Sequence, residues 1–199
     1  MLTIIGTMKK KIIFILNPIS GTVSKAGIPK LIEERLDKET FDYDIAETEY
    51  AGHATELAKK AAEKGVDIVV AIGGDGTVNE VGRALINTET AMAILPCGSG
   101  NGLARHLRLP MNLKKCIDII NMCDIHSLDY GIINQHPFFC TCGMGFDAFI
   151  SMKFANAGKR GPITYVQQVL EEGVKYIPET YEIEDEDGIQ HYKAFLVSA

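Results

Sequence analysis

A chain of 199 residues, 46% of them hydrophobic, has material for one large core, or for one domain and part of another, and disorder is not its default state. Its net charge of −6 argues against nucleic acid as a partner and against a purely electrostatic grip on an anionic membrane. Five cysteines without framework spacing (Cys97, Cys116, Cys123, Cys140, Cys142) read as reduced thiols of a cytoplasmic protein, and no apolar run reaches membrane-spanning length. At the N-terminus apolar residues precede basic ones, the reverse of a signal peptide, and Met8 reads as the natural start.

In chain order, residues 11–16 (KIIFIL) form a first expected strand, and Asn17-Pro18-Ile19-Ser20-Gly21 a tight turn. Ile28, Leu31, Ile32 and Leu36 mark one face of a helix with Pro29 in its first turn. Residues 41–48 alternate apolar and acidic side chains as a strand does, and residues 52–64, rich in Ala, Leu, Glu and Lys, suit a helix. The stretch 67–81, DIVVAIGGDGTVNEV, is the most informative. Its apolar run at 68–72 is stopped by Gly73, Gly74 and Gly76, and a helix is expected from Thr77 to about Ile86. Residues 91–95 are a fourth strand. A second glycine loop follows at once, Pro96-Cys97-Gly98-Ser99-Gly100-Asn101-Gly102, before helices at 103–107 and 113–122. This alternation predicts an α/β fold, a parallel sheet with helices on both faces.

Beyond Met122 the pattern changes. Residues 125–133 and 136–142 read as strands around a loop of Asn134 and Gln135. Residues 180–184 and 191–198 read as another pair, joined by an acidic turn at 184–188, with a helix expected near 164–175. The expected division is an α/β domain at 8–126 and a β-rich domain at 127–199. The second is incomplete, with its last strand left at an open edge.

A helix that starts behind a glycine turn aims unpaired N–H groups and its positive dipole end at the loop, and glycines remove the Cβ that would keep an anion away. Each loop is thus a candidate phosphate cradle, and in a parallel sheet both emerge at one edge. Asp75 would repel a bare phosphate. Its carboxylate makes sense facing a magnesium ion, the metal's water, or a hydroxyl about to be phosphorylated. Neither loop ends in GK[ST], which excludes a P-loop, and Asn79 stands where a dinucleotide fingerprint needs its third glycine. Asn17, Ser20 and Thr48 are individually ambiguous, but all follow strands at the same expected edge. Glu80 is favoured by the helix dipole alone. His53, Arg105, His106 and the basic pairs read as capping or solvated residues, although Lys159-Arg160 beside Phe154 could touch lipid headgroups.

Together the segments NPISG (from Asn17), TEYAGHATELA (from Thr48), GGDGTVNEV (from Gly73), LPCGSGNGLAR (from Leu95), LDYG (from Leu128) and GMGFDA (from Gly143) resemble the diacylglycerol kinase catalytic domain family. That family includes sphingoid-base kinases and bacterial YegS-like lipid kinases. The resemblance implies ATP as phosphoryl donor, Mg2+, and a lipid alcohol as acceptor, entering a cleft between the domains. It implies nucleotide contacts at Asn17, Pro18, Ile19, Ser20, Gly21, Thr48, Gly73, Gly74, Asp75, Gly76, Thr77, Val78, Asn79, Glu80, Gly98, Ser99, Gly100 and Asn101. Asp75 would be the metal-serving, catalytic residue. Ser99 and Gly102 depart from the bacterial branch, where Thr and Asp are common, so GSGNGLA is closer to the sphingoid-base form. The family's DG-x-LD region and its late carboxylate, which resembles a general base, have no counterpart in this sequence, as in a truncated member of roughly two-thirds length. Peripheral contact with the inner membrane surface and a homodimer are further expectations. A non-catalytic nucleotide- or lipid-binding module and a kinase of a soluble acceptor such as NAD stand as alternatives.

Overall fold

A computed structural model describes residues 8–21, 24–156, 173 and 176–199. The chain divides into two compact units, Met1–Cys140 and Thr141–Ala199.

The first unit is built on a four-stranded sheet in the order β2-β1-β3-β4, with β1 at Lys10–Leu16, β2 at Phe41–Glu47, β3 at Ile68–Gly73 and β4 at Ala91–Pro96. Every pairing is parallel, so all four strands end at one rim. Every residue of β3 is buried, as a central strand covered on both faces must be. Its alternate side chains feed two separate cores. Ile68, Val70 and Ile72 join Ile12, Phe14 and Leu16 of β1 under α1 (Ile28–Arg35) and α5 (Leu113–Met122). Val69 and Ala71 join Ile15 under α2 (His53–Glu63), α3 (Asp75–Leu85) and α4 (Gly102–His106). The expected α/β architecture is therefore present, with helices on both faces of the sheet.

Local chemistry sets the helix ends. Pro29 lies in the first turn of α1, and the Asn112 side chain accepts from the N–H groups of Lys114 and Lys115 to cap α5. Helix α3 begins at Asp75, two residues before the expected start, because the glycine turn tightens directly into the helix.

The readings after Met122 need correction. The strand expected at 125–133 is confined to β5, Gly131–Ile133, and that at 136–142 to β6, His136–Phe138. These pair as an antiparallel hairpin through Asn134 and Gln135, whose φ values of 46° and 67° suit a tight two-residue turn. Residues 124–130 run without strand pairing. By packing, the hairpin goes with the first unit; by sequence pattern, it opens the second.

The second unit holds β7 (Gly143–Gly145), α6 (Phe146–Asn156), β8 (Glu179–Asp185), β9 (Gly188–Ala194) and β10 (Leu196–Ser198). Helix α6 was not expected; its apolar residues have no helical period to announce them. The helix expected near 164–175 lies almost wholly outside the described residues. Strands β8 and β9 form a hairpin about Glu186 and Asp187, and Gly188 at φ +108° takes up the turn. The single last strand expected at 191–198 is divided between β9 and β10, and β10 pairs with β7 in a two-stranded ladder, which keeps one side of β10 unpaired among the described residues. Phe146 is buried in this unit, with its ring 4.5 Å from Phe195 and 5.3 Å from Tyr176.

Candidate functional site

The loops after β1, β3 and β4 meet at the rim of the sheet, and backbone geometry joins them. The Cys97 N–H donates to the Gly73 carbonyl at 2.7 Å, which extends the β3–β4 ladder into the two glycine loops. Gly74 and Gly98 then approach so closely that a Cβ on Gly98 would lie 2.4 Å from the Gly74 Cα. Gly21, at φ +62°, closes the third side; a Cβ there would lie 2.1 Å from the Cys97 carbonyl oxygen. No side chain fits at either position without moving backbone.

Asp75 fastens the two glycine loops together. The N–H of Asn101 donates to its Oδ2 at 2.8 Å and that of Gly102 to its Oδ1 at 2.6 Å. One acid at the start of α3 thereby satisfies the opening N–H groups of α4, donors that a helix cannot satisfy itself. Asn101 is held for this purpose in the left-handed conformation, φ 56° and ψ 45°. Its side chain accepts from the Gly98 N–H and donates to the Gly98 carbonyl, both at 2.8 Å. Asp75 nonetheless remains exposed at the rim.

The NPISG turn is tied to the same place. Asn17 Nδ2 donates to Thr77 Oγ1 at 3.0 Å, and Asn17 Oδ1 accepts from the Ile19 N–H at 3.1 Å. Thr77 is buried beneath the turn, against Gly73. Thr48, also buried, follows β2 directly, and its N–H donates to Leu16. Glu80 is committed elsewhere: its carboxylate accepts from the Gly52 N–H at 3.1 Å, and its carbonyl accepts from the Thr55 hydroxyl at 3.0 Å. It joins α3 to the start of α2.

Most residues expected at the site are thus brought to one rim: Asn17, Ser20, Gly21, Thr48, Gly73, Gly74, Asp75, Gly76, Thr77, Gly98, Ser99, Gly100 and Asn101. Pro18 and Ile19 are exposed on the outer side of the turn. Val78 is a core residue of the second cluster, so only its backbone can face a ligand. Asn79 is half-buried at the start of the second turn of α3.

Sequence reading missed Lys25. Its ammonium is buried and donates to the Ser20 carbonyl, which puts a fixed positive charge under the NPISG turn. Burial holds the Cys97 thiol above its ordinary pKa, and the charge of Lys25 pulls in the opposite direction. Burial, with a smaller contribution from Cys97, pushes the Cys116 thiol up to about 11. Lys25 lies outside both glycine loops in an irregular stretch, so no motif or period points to it.

Among the described residues, no three His, Cys, Asp or Glu side chains gather as a ready-made metal cage. The donor set fits magnesium in a narrower sense. That ion is commonly held by one or two carboxylates, with phosphates and water completing its shell. Each oxygen of Asp75 accepts one N–H and keeps acceptor capacity on its exposed side.

A model of the diacylglycerol kinase catalytic domain matches residues 11–133. A diacylglycerol kinase of Staphylococcus saprophyticus is 34% identical over 134 residues, 66% of this chain and 44% of the relative. One from Bacillus subtilis is 31% identical over 140 residues, 68% of this chain and 46% of the relative. A crystal structure of a diacylglycerol kinase from Bacillus anthracis superposes with a TM-score of 0.69 at 26% identity, covering 96% of this chain and 64% of that one. The chain spans about half the length of these curated relatives. Among the described residues, no helix is long and apolar enough to cross a membrane.

Proposed function

The chain belongs to the diacylglycerol kinase catalytic domain family, and from that premise we propose that it serves ATP-dependent transfer of a phosphoryl group to the hydroxyl of a lipid, a diacylglycerol or a sphingoid base. The observation that carries this reading is the bridge from Asp75 to the backbone of Asn101 and Gly102. It gathers two helix starts and a carboxylate at one edge, the equipment needed for a polyphosphate and its counter-ion.

The residues act mainly by positioning. The first N–H groups of α3 and the glycine loops bind phosphate oxygens, and Gly21, Gly74 and Gly98 let the backbone come close. Asn17 holds the NPISG turn against Thr77 so that this side of the cradle does not splay. Asp75, with water, would hold Mg2+, which supplies charge neutralisation to the transferring phosphoryl group. Lys25 adds a buried positive charge beneath the turn. Alignment of a lipid hydroxyl with the terminal phosphate then contributes most of the rate. Contact with the membrane is peripheral in this reading.

Transfer of label from terminally radiolabelled ATP, with Mg2+, to detergent-dispersed diacylglycerol, monoacylglycerol, sphingoid base, ceramide or soluble NAD tests the proposal. Labelled diacylglycerol or sphingoid base is the expected product. Label on NAD alone sinks the lipid reading. Binding of ATP with no transfer to any acceptor, by this chain and by a version extended to the relatives' length, leaves a binding module instead.

A further inference from the structure

A chemically reactive dipeptide sits inside the bridge between the glycine loops. Asn101-Gly102 is the only Asn-Gly step in the chain. The side-chain amide of asparagine is labile, and a following glycine, having no Cβ, leaves its nitrogen unhindered as an attacking atom. In the reaction open to such a step, the Gly102 nitrogen gives up its proton and bonds to Asn101 Cγ. The Cγ–Nδ2 bond breaks, Nδ2 takes up a proton and leaves as ammonia, and a succinimide ring remains. Water then opens the ring at either carbonyl. Attack at Cγ gives aspartate, and attack at the main-chain carbonyl gives isoaspartate. In sum an amide and a water become a carboxylate and an ammonium ion, with no oxidant and no cofactor.

The fold restrains both participants. The Gly102 N–H donates to Asp75 Oδ1 at 2.6 Å, so its proton is held, and the carboxylate beside it disfavours negative charge on that nitrogen. The Asn101 side chain is engaged with Gly98, where Oδ1 accepts from the N–H and Nδ2 donates to the carbonyl, both at 2.8 Å. Gly98 is itself fixed by its close approach to Gly74. The Asn101 N–H is held by Asp75 Oδ2 at 2.8 Å. Asn101 is buried, and its left-handed backbone, φ 56° and ψ 45°, is one that an L residue keeps when its surroundings hold it there. Ring closure needs the side chain to leave Gly98 and the Gly102 N–H to leave Asp75, so it needs the bridge to open.

We infer that Asn101-Gly102 is a latent site of isoaspartate formation, kept unreactive by the hydrogen bonds to Asp75 and Gly98 and open to conversion whenever they break. The isoaspartyl product cannot restore the bridge. It places the side-chain methylene in the main chain, between two N–H donors that must reach the oxygens of one carboxylate, and it sets a new negative charge beside Asp75. The rim of each molecule therefore has a working life, set by how often this loop opens. No nucleotide enters the chemistry, so a failed phosphoryl-transfer assay leaves it standing.

Peptide mapping by mass spectrometry of the full chain, aged in mildly alkaline buffer, reads the mass gain of amide-to-acid conversion at Asn101. Isomerisation at Asp75-Gly76 or Asp187-Gly188 changes no mass and does not interfere. The folded chain should convert at least about tenfold more slowly than the chain unfolded in guanidinium chloride, because opening breaks hydrogen bonds to a charged acceptor. Asp75→Asn should convert about fivefold faster than the folded parent. Gly102→Ala, whose Cβ would meet the Cys140 sulfur at 3.3 Å and Asp75 Oδ1 at 3.6 Å, should convert slowest even when unfolded, because a Cβ now crowds the attacking nitrogen. A rate for Asp75→Asn equal to that of the unfolded parent marks a variant that does not fold, and the parent chain alone then decides. In it, guanidinium below the unfolding transition should speed conversion at Asn101 and exchange of the Gly102 amide hydrogen together. Equal rates in the folded and unfolded parent, a folded Asp75→Asn that matches the parent, or conversion that stays constant while Gly102 exchange rises overturns the assignment.

Discussion

The two units of this chain fold by different means. In the first, one strand buried on both faces serves two cores, and nearly every buried hydrophobic residue of the described chain lies there. In the second, two-stranded ladders carry mostly exposed side chains, and Phe146 and Ile150 are its only buried hydrophobics among the described residues. The difference teaches that precision at the rim comes from the sheet beneath it. Loops with this many backbone approaches under van der Waals distance for a Cβ need strand ends that do not move.

Substitutions of matched chemistry in the two units sharpen the contrast. Phe14→Ala, in the middle of the first core, should cost about 4 kcal/mol by urea denaturation and abolish ATP binding. Phe146→Ala should cost about 2 kcal/mol or less, because its partly exposed ring neighbours can close over the gap. Hydrogen exchange should show that loss in β7 and β10 while β1 and β3 stay protected. Equal losses of protection in both units would break the comparison.

At the rim itself, Gly98→Ala forces backbone against Gly74 and should cost about 1–3 kcal/mol of stability with a larger proportional loss of ATP affinity. Asp75→Asn should abolish phosphoryl transfer in a transfer-competent form of the protein. It should also cost about 1 kcal/mol, since an amide turns donors toward a backbone N–H that now lacks its acceptor. Near-unchanged transfer would remove Asp75 from the mechanism. The smallest effect belongs to the surface: Arg35→Ala breaks a bond of 2.7 Å to Asp118, but both partners are about 40% exposed, and a change under 1 kcal/mol is expected.

How much of this was legible beforehand follows from which signals are local. The four strands of the sheet and the glycine loops are written in short runs of residues, so their positions and their common edge could be read directly. Asp75 could be singled out as a lone acid among glycines. That its two oxygens hold the start of α4 could not, because the partners are backbone groups 26 and 27 residues away. Lys25 was passed over for the same reason, since tertiary placement alone gives it its surroundings. The readings failed most after Met122, where residues 124–130 have strand-like composition without a partner strand. There β10 finds β7 across a stretch that no periodicity connects.

The clasp between Asp75 and the α4 backbone has a kinetic side. An acid already held in place by two N–H donors does not wait for a cation before taking its position, so in the proposed reading the receiving surface exists before its occupant arrives. Capture then needs no loop ordering, and the entropy usually lost in assembling a binding loop has been surrendered during folding. Association of a polyphosphate with this edge should therefore be limited by encounter and by shedding of solvent, with selectivity expressed in how long each visitor stays.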